Sequence, residues 1–175
     1  MNIKLYEILT ANNIVESINN NIDYLLSLIP EIRYMIGFKH NHPHHHLDVW
    51  NHTLLALSLS ENNFEIRLVL LLHDIGKPFS YQDEEIRHFH NHANVSSNMA
   101  KTILTRLNYP ENFINKICYL IKYHDTPITN KDILENYELT YELYKIQYCD
   151  ALAHNPTKLS KRKEYLNNKL KLLKK

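Results

Sequence analysis

Apolar residues recur along this chain at intervals of three and four, the spacing that lines one face of an α-helix. Helix breakers fall between the periodic stretches. The pattern predicts helices at about 12–28, 31–36, 48–60, 65–75, 91–107, 111–124, 138–153 and 159–173. Pro30, Pro43, Pro78, Pro110, Pro127 and Pro156 all sit at or outside those ends, where a missing N–H and a fixed φ do least harm. An all-α single-domain bundle follows. Its connections are short except at 37–47 and 76–90, both rich in histidine or charge, and loops on a rigid helical frame are where sites tend to be built.

The same spacing shows where unusual polar residues point. Val49, His52, Ala56 and Leu59 step by three or four, as do Ile66, Leu70 and His73 inside a run that reads as buried nearly all round. Asp74 follows at that helix's end. His92 opens the stripe Val95, Met99, Ile103, Leu107, and His124 closes the stripe Ile114, Ile117, Ile121. Leu139, Leu143 and Ile146 lead to Asp150, so a carboxylate lies on a core face.

Composition sharpens this reading. The 175 residues include twelve histidines but only two glycines, Gly37 and Gly76, so glycine-rich phosphate loops and hairpin-rich β folds lack their building material. Cys118 and Cys149 are too few for a disulfide framework and are expected as buried free thiols. No apolar run is long enough for a membrane span and the N-terminus lacks the pattern of a secretory signal, so a cytoplasmic protein is expected. Residues 158–175 carry eight Lys and Arg against the single Glu164, whereas 1–157 hold twelve basic and eighteen acidic residues. The body is acidic and its tail basic.

A core histidine is usually satisfied by one hydrogen bond. A buried ionised aspartate is different, because its lost hydration costs several kcal/mol unless a cation compensates. Most Lys and Arg residues fall on other helix faces, so Asp74 and Asp150 call for a divalent metal, which would also draw His52, His73, His92 and His124 to one point. Four imidazoles and two carboxylates suit Fe, Mn, Ni, Co or Zn rather than Ca. Six ligands exceed a tetrahedral zinc site and fit one or two ions, with one Asp bridging where two bind. A purely structural zinc site, usually closed by four ligands and rich in Cys, fits less well.

These residues, in this order, resemble the HD superfamily of metal-dependent phosphohydrolases, whose signature is a His, a His-Asp pair and a distant Asp on helices: here His52, His73-Asp74 and Asp150. The text is closer still to the HD domain of bacterial tRNA nucleotidyltransferases. HHLDVWNHTLLAL, LLLHDIGKP, RHFHNHANVSS and LIKYHDTP each resemble a segment of that group, together spanning about 40–156. Asn91 replaces the glycine usual before the middle His, and residues 1–39 lack the glycine-rich strand motif of a nucleotidyltransferase head. The expected layout is N-terminal helices over 1–39 packed on an HD domain at 40–156, with a basic C-terminal helix at 157–175 and no transferase head. The resemblance implies a metal-dependent phosphomonoesterase or phosphodiesterase that uses metal-activated hydroxide on a nucleotide or an RNA terminal phosphate. The alternative is a catalytically silent metal- or nucleotide-binding sensor.

Within that reading Asp74 and Lys77 are the catalytic candidates, and His46, Lys77, Arg87 and His88 the substrate-binding ones. Lys77 is open between a phosphate contact and a solvated loop lysine, and Asp48 between support of the site and a helix N-cap. The run His40, His42, His44, His45 is expected to be a loop cluster with at most a supporting role, and His154 to lie on the surface. Leu159, Leu166, Leu170 and Leu173 mark the tail helix as packed on the domain, its basic face either merely solvated or set against RNA phosphates.

Overall fold

A computed structural model describes residues 2–82 and 86–174. Residues 83–85 of the long 76–90 connection and Lys175 of the tail lie outside the described residues. The described elements are helical: α1 (Ile3–Leu9), α2 (Ile14–Asn20), α3 (Ile22–Leu28), α4 (Val49–Ser58), α5 (Phe64–Leu72), α6 (His92–Arg106), α7 (Glu111–Tyr123), α8 (Asn130–Glu135), α9 (Tyr137–Leu152) and α10 (Ser160–Leu173), with single 3₁₀ turns after α3, α5 and α9. Two isolated bridges, Lys39 with Asp48 and Gln82 with His88, pin the long loops. The all-α expectation holds.

α5 is the axis of the bundle. Asn63 caps its start by accepting from Ile66 N at 3.1 Å, and Leu68 to Leu72 are without solvent contact because α1, α4, α6, α7 and α9 all pack on it. Each such leucine contributes about 1.5–3 kcal/mol by burial. Arg67 is buried in the same helix, with Nη1 donating to Leu9 O at 2.7 Å and Ala11 O at 2.9 Å, so its guanidinium satisfies carbonyls at the end of α1 and ties that helix to the core. α6 and α7 lie along one another, and α10 returns along α9 with Leu159, Leu166 and Leu173 buried. The tail is thus a packed helix with a solvated basic face.

The differences from the sequence pattern have local causes. α1 and α8, of seven and six residues, fall in stretches too short for a periodicity argument, although Thr129 and Asp132 form a capping box at α8. The helix expected over 12–28 breaks at Asn21, whose side chain donates to Ser17 O at 2.8 Å and competes with the helical ladder. The stretch 31–36 is a 3₁₀ turn at Pro30–Tyr34, and Leu59, expected on the core face of α4, is exposed past its end. Cys149 is buried and Cys118 only half-buried, both free. Asp48 caps α4 by accepting from Asn51 N at 2.8 Å, deciding between its two readings.

Two backbone positions hold α5 and α6 in place. Asn91 has φ of +66°, the left-handed region where glycine is easiest and Asn next easiest, so the unusual residue before His92 still makes the turn into α6. Gly76 matters through space instead: a Cβ there would sit 2.5 Å from Ser96 N and 2.9 Å from Ser96 Oγ, and its own N–H donates to that hydroxyl. Replacing Asn91 with Gly is expected to leave stability unchanged or slightly raised, whereas Asn91→Ala should cost about 1–2 kcal/mol in urea unfolding.

Candidate metal centre

The chain ends of three helices meet at one point. His73 and Asp74 follow α5, His124 follows α7 and Asp150 lies in the last turn of α9, while His52 projects from the middle of α4 and His92 opens α6. The C-terminus of a helix exposes unpaired carbonyls and a partial negative charge, so the convergence of α5, α7 and α9 favours a cation before any side chain is counted.

The imidazoles are oriented by those carbonyls. His73 Nδ1 meets Leu70 O at 2.7 Å, His124 Nδ1 meets Ile121 O at 2.6 Å, His92 Nδ1 meets Phe89 O at 2.9 Å and His52 Nδ1 meets Ala153 O at 3.2 Å. A carbonyl only accepts, so each Nδ1 carries the hydrogen and each Nε2 turns inward. His92 Nε2 and His124 Nε2 then face one another at 3.3 Å, two lone pairs with no hydrogen between them unless one ring is protonated. His73 Nε2 and both Asp74 carboxylate oxygens are buried without a hydrogen-bond partner.

Asp74 lies between two pairs of rings. Its Oδ2 is 3.3 Å from His73 Nε2 and 3.6 Å from His52 Nε2; its Oδ1 is 3.5 Å from His92 Nε2 and 3.8 Å from His124 Nε2. Asp150 Oδ1 approaches the first pair only, at 2.9 Å from His52 Nε2 and 3.5 Å from His73 Nε2. Most of these separations are too long for good hydrogen bonds, yet two ligands each about 2.1 Å from one ion lie about 3.0–3.5 Å apart. The donor set, with its orphaned and inward-facing atoms, fits divalent cations. His52, His73 and Asp74 form one group that could hold an ion, and Asp74, His92 and His124 another. The structure thus brings all six sequence-predicted ligands together.

The electrostatics point the same way. Burial pushes the Asp74 carboxyl up, but His73 and Lys77 outweigh it and hold the group well below the usual carboxylate range. For Asp150, burial is likewise outweighed, by the neighbouring His154 and by the His52 and His73 rings that face the carboxylate. Burial alone would lower His73, yet the two carboxylates facing Nε2 raise it to about 10. His124, buried beside His73, is pushed down to about 4. The carboxylates require positive charge at the position that Nε2 of His73 faces.

Lys77 is neither a solvated loop residue nor remote from the aspartates. It is 4 % exposed, and its Nζ lies 2.7 Å from Asp74 Oδ2, so the solvated-loop alternative is set aside and the metal is not the one cation available to Asp74. Three loop residues are also misjudged by sequence alone. His40 is fully buried and receives Lys77 Nζ at 3.2 Å on its Nε2. Partly buried His45 stacks on His40 at 3.7 Å, and His154, expected on the surface, stands 3.6 Å from Asp150 Oδ1. Burial pushes His154 down to about 4 and His45 further.

Over the centre opens a cavity of about 220 Å³, lined among others by His45, Lys77, His88, His92, His124 and His154. His88, a substrate-binding candidate, is exposed at its rim. Arg87 lines it too, but its guanidinium donates to Lys39 O at 2.8 Å and lies over the Phe38 and Tyr81 rings at 5.0 and 4.8 Å. His46 does not reach this cavity; it is exposed and lines a separate one beside Gly37 and Asp48, and His45 takes the inward place. Alternation along the loop hides that choice, since neither residue sits in a periodic element.

The chain is similar to known proteins. The chain is 29% identical over 139 residues to the CC-adding tRNA nucleotidyltransferase of Thermus thermophilus, covering 71% of this chain and 32% of that protein. It is 34% identical over 104 residues to the A-adding tRNA nucleotidyltransferase of Deinococcus radiodurans (55% and 24%), and 31% identical over 105 residues to the multifunctional CCA protein of Hahella chejuensis (57% and 24%). The chain therefore spans 24–32% of the length of these relatives. Residues 44–164, which contain all six residues around the centre, match the HD domain profile, and on that match the chain belongs to the HD domain family.

Proposed function

We propose that this chain is a metal-dependent phosphohydrolase acting on a nucleotide or an RNA terminal phosphate. The observation that carries the reading is the division of buried Asp74 between two imidazole pairs, with Lys77 beside it, beneath an open cavity that His92, His124, Asp150 and Lys77 line. In this reading His52, His73, Asp74 and Asp150 hold one divalent ion, and Asp74, His92 and His124 a second. Bound there, divalent ions supply activation of water at neutral pH and Lewis-acid polarisation of a phosphoryl oxygen.

The protein's own part is to hold charge and shape. Its buried carboxylates keep the site ionised, the carbonyl-bound Nδ1 atoms fix each Nε2 in place, and Lys77 adds a cation where negative charge develops on a transferring phosphoryl group. Among the described residues no helix is long and apolar enough to cross a membrane. The exposed basic residues of α10, among them Lys161 and Lys163, supply the positive surface that an RNA substrate would require of an acidic body, and the names of the relatives place such domains in proteins that act on tRNA.

Three outcomes test the reading. Metal-loaded protein should hydrolyse an aryl phosphate monoester or diester with added Mn or Ni; Asp74→Ala should lose both metal and turnover, and Lys77→Met should keep the metal while losing about 10²–10³ in kcat. An Asp74 variant that stays metal-loaded and active would sink the assignment, and metal without turnover on any nucleotide or RNA end would favour the sensor. Because an arriving ion must expel the proton that His73 keeps up to about pH 10, apparent metal affinity should rise with pH below that value, with proton release in calorimetry. A pH-independent affinity would contradict it. Neutralising Lys161 and Lys163 with Gln should weaken RNA binding and flatten its salt dependence; an unchanged salt slope leaves α10 a packing element only.

A further inference from the structure

Lys77 carries three donors on one ammonium, and one is committed to a hydrogen bond, with His40 Nε2 3.2 Å from Nζ. Asp74 Oδ2 lies 2.7 Å from Nζ as an ion pair, and the ammonium also lines the cavity, where a donor is left for an anion. Its stem is buried, and Nζ sits 5.6 Å over the Phe89 ring.

His40 itself does not line that cavity. Its Nδ1 meets Leu47 O at 2.9 Å, and because a carbonyl only accepts, that nitrogen bears the hydrogen and Nε2 offers a lone pair. His45 stacks flat on the ring at 3.7 Å and 5°, while Phe89 and His52 meet it edge to face. The ring is therefore fixed on several sides and can receive Lys77 in one direction.

We propose that His40 is a positioning residue that, together with the charge of Asp74, clamps the Lys77 ammonium so that an N–H is presented to a phosphate oxygen in the cavity. This deepens the phosphohydrolase reading and rests on it. The ion pair with Asp74 alone would leave the ammonium's orientation open; a hydrogen-bond acceptor on another loop fixes the direction of its other donors. An oriented donor costs no reorganisation when the anion arrives.

The probe is inorganic phosphate, titrated calorimetrically into metal-loaded protein. His40→Phe, which keeps the ring and its stacking but removes the acceptor along with the Nδ1–H donor to Leu47 O, should weaken phosphate about tenfold with metal content unchanged and a modest fall in the unfolding midpoint. Lys77→Met should cost a similar factor, the double variant no more than either alone, and His40→Gln, whose amide oxygen can accept from Nζ, should recover most of the loss. Additive losses, or a His40→Phe variant equal to the parent, overturn the clamp while leaving the phosphohydrolase reading intact. If the metal-loaded parent binds no phosphate, both fall. Nitrogen NMR of the unsubstituted protein gives a check independent of any variant: the hydrogen should be on Nδ1 of His40, and an Nε2–H tautomer refutes the proposal.

Discussion

The constraint on which this structure depends is the burial of the Asp74 and Asp150 carboxylates at the end of the core. An uncompensated pair of such charges would cost more than a domain of this size has to spare. Every nearby choice answers that cost: inward Nε2 atoms, a buried lysine, and rings whose other nitrogen is already committed. The fold can be read as the scaffold that makes two dehydrated negative charges tolerable, and the chemistry as what that tolerance permits.

Much of the centre was legible in the amino-acid text because it sits on helices. A period of 3.6 residues places His52, His92 and Asp150 on core faces without coordinates, and a helix end places His73 and His124. Asn91 and Gly76 differ in what fixes them. Asn91 does stand where backbone freedom is needed, whereas Gly76 is demanded by the closeness of Ser96, a fact of packing between α5 and α6 that no local pattern records.

What the text hid lies in the loops. His40, His45 and His154 have no periodicity to declare a face, and a run of five histidines gives no sign that His40 is buried and His45 half-buried while His44 and His46 are exposed. Lys77 could have been found: it stands three residues after Asp74, within reach across one turn, and the glycine between them signals a tight path. Counting cations only by helix face missed a partner supplied by a turn.

The carbonyl-bound Nδ1 atoms have one more consequence. Three of the four rings close the exposed carbonyl ends of α5, α7 and α9, so the same side chains that converge on the centre also finish the helices that carry them. A sequence drifting away from its chemistry would unravel helix ends as it lost its donors. Architecture and the candidate centre are thus tied by shared atoms: a variant without these imidazoles would need other groups to close the ends of α5, α7 and α9.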